Sequence, residues 1–266
     1  MNSVCNLFPG GKTKAVTMSY DDGPVYDRQL VEIFNRFGIR GTFHLNSGRL
    51  NSSWCVSASE VSELYRGHEV ACHSVSHPML DRCAMPSVIH EIMDDRIALE
   101  KLVGYPVRGL SYPYGKFNRQ ILDLLPLCGI RYSRAVRVTE GFDLPEHPLN
   151  WEGTCHHNHP RLMELAQQLI DREADYHLSL MYVWGHSYEF NNDNNWDRIE
   201  KFCELIGGRD DIWYCTNIEL IDCIDRFRGL RFAADMSFVS NPSAEECWIS
   251  LNGSPLRIPG GAFVRL

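Results

Sequence analysis

Two acidic residues stand side by side in Ser19-Tyr20-Asp21-Asp22-Gly23-Pro24, directly after the apolar run Ala15-Val16-Thr17-Met18. Adjacent carboxylates repel unless a cation or a proton separates their states. A solvated turn before Gly-Pro would accommodate them. So would a metal site, with one carboxylate on the ion and the other beside a water whose proton it takes. Farther along, His73-Ser74-Val75-Ser76-His77-Pro78 spaces two imidazoles by four. On a helical turn both rings project from one side, close enough to share an ion. Two neutral imidazoles plus one carboxylate leave coordination positions open, as a catalytic divalent ion requires. The histidine pair alone is a weak signal. Beside an Asp-Asp at another strand end it becomes a specific one.

These groups need elements to carry them. Apolar periodicity predicts a strand over 14–20, a helix over 26–37 and a strand over 39–46. Ser57-Ala58-Ser59-Glu60 reads as a capping box opening a helix to about residue 66. A strand over 68–72 and a long helix over 86–103 follow. Next come a strand at 107–111, a helix at 118–127 and a strand opening at Ile130-Arg131. The pattern continues with helices over 160–174, 196–206 and 218–227 and strands over 178–184 and 211–215. Cys128-Gly129-Ile130-Arg131 echoes Phe37-Gly38-Ile39-Arg40: each glycine stops a helix and Ile-Arg opens a strand. Alternating strands and helices predict an α/β fold, a (β/α)7-type barrel with a parallel sheet. In such a barrel the strand C-termini build the active site. Asp21 and Asp22, His73 and His77, Tyr112 and Tyr114, and His186 all fall just after expected strands.

The 266 residues are 44% hydrophobic and 23% charged, with a net charge of −8. That composition is globular, and without a basic cluster it gives no footprint for nucleic acid. No run of about 18 apolar residues is present, so no membrane span is expected. Met1 to Gly11 lacks the features of a signal peptide. The ten cysteines form no Cys-x-x-Cys pair and read as reduced, buried thiols. A cytoplasmic location is the expectation. Two units are expected: a catalytic barrel over 1–228 and a small antiparallel β segment over 229–266, marked by turns at Asn252-Gly253 and Gly260-Gly261.

With these motifs in hand, the chain resembles the NodB-type polysaccharide deacetylases of carbohydrate esterase family 4, metal-dependent amide and ester hydrolases on a distorted (β/α) barrel. The resemblance runs in family order over roughly 14–225, through Ser19-Tyr20-Asp21-Asp22-Gly23, His73-Ser74-Val75-Ser76-His77, Pro113-Tyr114-Gly115 and Val183-Trp184-Gly185-His186. It implies that Asp21 is the general base. Asp22, His73 and His77 would hold one divalent ion, most often zinc, with cobalt, nickel or manganese as alternatives. The Tyr114 N–H would stabilise the oxyanion, and His186 would protonate the leaving amine. The substrate implied is an N- or O-acetylated carbohydrate, such as a soluble oligosaccharide or small glycoside.

Three departures stand out. Ser111 occupies the place of the arginine that usually restrains the base. Leu149-Asn150-Trp151-Glu152 offers the family tryptophan without its aspartate. Trp184 replaces the leucine of the acetyl pocket. These leave open a small-molecule amidase, deformylase or cyclic-amide hydrolase on the same fold, and a carbohydrate-binding protein without turnover. Tyr112, Trp151 and Trp184 are candidate sugar-stacking aromatics. His156, in the cluster Thr154-Cys155-His156-His157-Asn158-His159, could reach the rim. Asn217 and Glu219 follow the strand at 211–215 and are weaker candidates there. Glu189 and the run Asn191 to Asn195 read as a solvated turn. The oligomeric state is not legible in the sequence.

Overall fold

The computed structural model describes residues 3–173 and 177–266. The strands in chain order begin with β1 (Val4–Leu7), β2 (Lys14–Asp21), β3 (Gly41–Leu45), β4 (Glu69–Cys72) and β5 (Gly109–Ser111). They continue with β6 (Tyr132–Val138), β7 (Trp151–Gly153), β8 (Cys155–His156), β9 (Ser179–Gly185) and β10 (Ile212–Tyr214). The chain ends in β11 (Arg231–Phe232), β12 (Phe238–Ser240), β13 (Cys247–Leu251), β14 (Ser254–Ile258) and β15 (Phe263–Arg265). The helices are α1 (Asp27–Phe37), α2 (Val61–Leu64), α3 (Met85–Val103), α4 (Arg119–Leu124), α5 (Leu162–Asp171), α6 (Ser187–Asn192), α7 (Trp196–Ile206) and α8 (Asn217–Gly229). The helix expected over 160–174 thus ends at Asp171; residue 174 lies outside the described residues.

The central sheet is parallel, in the order β7-β6-β5-β4-β3-β2-β9-β8. Its two ends are consecutive pieces of one segment, since β7 pairs with β6 and β8 pairs with β9. Residues 151–156 therefore close the sheet into a distorted seven-position barrel. β10 is a wedge that pairs only with Lys14–Val16 at the start of β2.

Alternation along each strand sorts its side chains. On β2, Val16, Met18 and Tyr20 face outward into the apolar layer under α1, with Leu30, Ile33 and Phe34. Thr17, Ser19 and Asp21 take the opposite face and point into the barrel. The interior is polar in its upper part and aromatic lower down, where Tyr132, Trp151 and Tyr182 pack together. The two glycine stops behave alike: Gly38 and Gly129 are left-handed at φ 67 and 73. The Ser57 capping box is present, followed by the single turn of α2.

Beyond α8 lie two three-stranded antiparallel sheets, β11-β12-β15 and β1-β13-β14. The N-terminal strand thus joins the C-terminal segment. The β13–β14 hairpin turns at Asn252-Gly253, both at positive φ, as a two-residue turn requires. Among the described residues, no helix is long and apolar enough to cross a membrane.

Candidate active site

The ends of β2 and β4 and the loops after them bring Asp22, His73 and His77 together. Asp22 Oδ1 lies 3.7 Å from both His73 Nε2 and His77 Nε2. That spacing is long for a hydrogen bond, and Asp22 Oδ1 is buried without a hydrogen-bond partner. Two atoms bound to one zinc at about 2.0 Å stand roughly 3.3 Å apart, so a small closure would place all three on a divalent ion. The donor set fits such an ion: two imidazoles held neutral and one carboxylate. Burial pushes His73 down to about 3 and lowers His77 as well.

The histidines do not converge through a helical turn, as the spacing of four predicted. The segment after β4 is non-helical, and left-handed Ser74 and His77 (φ 67 and 64) fold the chain back. The rings meet with centroids 4.7 Å apart. Asp22 and Tyr114 are also left-handed, at φ 75 and 58. Side chains with a Cβ rarely adopt this region, and it concentrates at functional sites.

His73 is braced from behind. His73 Nδ1 lies 2.9 Å from the Ser111 carbonyl, which can only accept. The ring proton therefore sits on Nδ1 and the Nε2 lone pair faces Asp22. The His73 and Ser47 amides donate to buried Asp95, at 3.0 and 2.8 Å.

Asp21 is held differently. Ser111 Oγ donates to its Oδ1 at 3.0 Å, and the Arg134 guanidinium is ion-paired to Oδ2. Burial alone would raise this carboxyl. Arg134, then His73 and His44, hold it well below the usual range. With His44 and His73 uncharged at neutral pH, Arg134 is the partner that keeps Asp21 ionised. Asp22 is pushed the other way, by burial and by the charge of Asp21. The two adjacent carboxyls thus differ in kind: one is hydrogen-bonded and ionised, the other has no hydrogen bond to Oδ1 and only the partly exposed Arg49, with Nη1 3.9 Å away, as a cation.

The restraining arginine that the sequence lacked at 111 therefore arrives from the next strand, since Ser111 and Arg134 are register partners on β5 and β6. Glu189 is the second correction. It sits on α6 rather than in a solvated turn, and three imidazoles approach it: His156 Nε2 at 3.1 Å, His157 Nε2 at 3.0 Å and His186 Nδ1 at 3.4 Å. Burial raises Glu189, but these rings pull it far below its ordinary value. Burial lowers His186, yet Glu189 and Asp21 leave it raised overall. His156, His186 and Glu189 have metal-competent spacing. However, the Asn158 amide donates to His156 Nδ1 at 3.1 Å. This places the ring proton on Nε2, facing Glu189, so the cluster is an array of imidazoles gathered around one carboxylate.

Residues 9–133 match the family model for polysaccharide deacetylase. The peptidoglycan-N-acetylglucosamine deacetylase PgdA of Listeria monocytogenes is 30% identical over 129 residues, 47% of this chain and 27% of its own length. A chitooligosaccharide deacetylase of Azorhizobium caulinodans is 28% identical over 160 residues, covering 59% of this chain and 68% of its own. A crystal structure from Mycobacterium smegmatis, classed with the polysaccharide deacetylases, superposes with a TM-score of 0.63 at 16% identity. It covers 85% of this chain and 95% of that one. Over residues 9–133 the chain is thus similar to the NodB-type polysaccharide deacetylases. It spans about a quarter of the length of the first relative.

Within this barrel, several expected substrate contacts lie elsewhere. Tyr112 follows β5 on its outward face, 1% exposed, stacked on Phe117 with its hydroxyl donating to the Leu149 carbonyl. Trp151 is 2% exposed, packed against Tyr132 and Tyr182 inside the barrel. Asn217 and Glu219 are at the opposite end from the metal triad. β10 stops level with Val16, so the start of α8 meets the first residues of β3 and β4: the Asn217 amide donates to Thr42 Oγ1, and Glu219 pairs with Arg40. Trp184 is largely buried against Arg134, and His156 is engaged by Glu189. The exposed aromatics at the rim are others. Tyr114 packs on His77, and Trp54 packs on Tyr188, which in turn packs on His186. Burial of the partner rings, not residue type, would have been needed to find them.

Proposed function

We propose that this protein is a metal-dependent deacetylase that hydrolyses an N-acetyl or O-acetyl group on a soluble carbohydrate. One observation carries this reading. The buried Asp22 Oδ1, without a hydrogen bond, faces the Nε2 atoms of two imidazoles, while its neighbour Asp21 is ionised and locked by Arg134 and Ser111.

Asp22, His73 and His77 would hold the divalent ion, zinc being the best match to two imidazoles and a carboxylate. When bound, the ion polarises the acyl carbonyl and lowers the pKa of a water to about 7. Asp21 takes a proton from the attacking water. Its fixed carboxylate plane keeps the accepting oxygen aimed during that transfer. The Tyr114 N–H donates to the oxyanion of the tetrahedral intermediate. His186, kept protonated by Glu189, gives its proton to the leaving nitrogen. The C–N bond breaks, and one amide plus one water yield one amine and one acetate. Trp54 supplies an exposed ring, packed on the half-buried Tyr188, on which the next sugar of an oligosaccharide would stack. The relatives' activities, on peptidoglycan and on chitooligosaccharides, agree with a carbohydrate substrate.

The test is a panel of soluble N-acetylated and O-acetylated oligosaccharides with zinc, cobalt, nickel or manganese added, read as acetate released. Acetate release that tracks metal loading is the expected result. Stoichiometric metal with no acetate from any sugar, or with formate or ammonia from small amides instead, would replace this reading.

A further inference from the structure

Arg134 is 1% exposed and deep in the barrel wall. Its hydrogen bonds are one-sided. One terminal nitrogen meets Asp21, the other lies 3.3 Å from the Ala135 carbonyl, and Nε has no partner. Hydrogen bonds alone therefore leave the guanidinium plane poorly fixed. What lies against its face is Trp184, with Cζ 4.6 Å from the ring centroid.

Trp184 is held by shape rather than by polarity. Its indole Nε1 is buried without a hydrogen-bond partner. The ring of His156 meets it edge-on at 4.6 Å. On another side is Gly153, where an added Cβ would lie 2.7 Å from Trp184 Cδ1. A larger residue at 153 would drive the indole off its present plane. Gly153, His156 and Arg134 thus surround a ring that β9 delivers from the barrel interior.

We propose that Trp184 is a positioning residue for the base: it clamps Arg134 against Asp21 and acts on hydrolysis through that arginine. This rests on the deacetylase reading above. A buried guanidinium over an indole gains electrostatic as well as packing energy. Without the indole, Arg134 can rotate toward a partner for its Nε, and the Asp21 carboxylate loses one of its two fixed supports. The rival role for Trp184 is a wall that touches the acyl group, and the two roles make different predictions.

The experiment is a double-mutant cycle on metal-loaded protein, with Trp184→Leu, Arg134→Met and the double variant, using acetyl, formyl and propionyl forms of one oligosaccharide. Trp184→Leu should lower kcat about 10- to 30-fold with little change in KM. Arg134→Met should lower it ~100-fold or more, and adding Trp184→Leu to Arg134→Met should cost nothing further. Trp184→Phe, which keeps a ring, should recover most of the rate. Multiplicative losses in the double variant, or a Trp184→Leu effect that changes tenfold with acyl size, would overturn the clamp. A crystal structure of Trp184→Leu adds an arm independent of turnover. The guanidinium should leave Asp21; a guanidinium in its original place refutes the proposal. If wild-type protein with full metal releases no acetate, the deacetylase reading fails, and this arm still decides the clamp. If Trp184→Leu does not fold, Trp184→Phe decides: a tenfold loss there counts against it.

Discussion

Two buried carboxylates at opposite ends of the barrel, Asp22 at the rim and Glu69 at the base, are built in opposite ways. Glu69 accepts from Thr42 Oγ1 at 2.9 Å, Tyr132 Oη at 2.7 Å and the Ile218 amide at 2.9 Å. Asp22 has Oδ1 buried with no hydrogen-bond donor, two imidazole Nε2 atoms 3.7 Å in front of it and Arg49 Nη1 at 3.9 Å. Burial raises both. At the base, that cost is offset by hydrogen bonds that tie β3, β4, β6 and α8 together. At the rim no hydrogen bond to Oδ1 offsets it; Arg49, partly exposed and 3.9 Å away, does so only at a distance, and a bound cation would do so directly. Polar groups inside a barrel are thus of two kinds: those satisfied by the fold, and those the fold sets aside for chemistry.

The comparison breaks most directly at the ligands. Asp22→Ala or His77→Ala should abolish metal retention after dialysis, by elemental analysis, and cut turnover by about three orders of magnitude or more. Glu69→Gln should keep stoichiometric metal. Equal metal loss in Glu69→Gln would erase the distinction between the ends.

Glu189 sharpens it, being both surrounded by donors and next to the chemistry. Without its charge, the raised pKa of His186 falls, so the protonated acid disappears at lower pH. In Glu189→Gln the basic limb of the pH–rate profile should move to lower pH, with kcat down about 10- to 100-fold. An unmoved limb would make Glu189 purely structural.

The base gives a stability prediction. Burial raises Glu69 from 4.5 to about 7. In that window the folded chain holds more protons at this site than the unfolded chain, so its contribution to stability declines as pH rises through about 7. Glu69→Gln removes that slope. The difference in unfolding free energy, Gln variant minus wild type, should become more positive from pH 5 to pH 8, by an amount on the order of 1–3 kcal/mol. Parallel melting curves would refute it. The smallest effect belongs to the rim aromatics. Trp54→Ala should raise KM several-fold for an oligosaccharide, on the scale of one lost stacking contact of about 1 kcal/mol, and leave a single-sugar substrate unaffected.

The sequence by itself determined the alternation of strand and helix, and hence the α/β class with a parallel sheet; its closure through residues 151–156 came from the tertiary structure. Period-2 and period-3.6 patterns are local, and the two Gly-Ile-Arg stops are set by backbone geometry within a few residues. It also marked Asp21, Asp22, His73, His77 and His186 as residues able to do metal-assisted chemistry, because strand ends in such a fold face one rim. Only the tertiary structure decided that Arg134, a residue on the neighbouring strand, restrains Asp21, and that Glu189 gathers three histidines. It also decided that Tyr112 and Trp151 are core and that Asn217 and Glu219 lie at the base. Those outcomes depend on which face of a strand a side chain takes and how far β10 runs along β2. Register between strands distant in sequence sets both, and no local pattern encodes it.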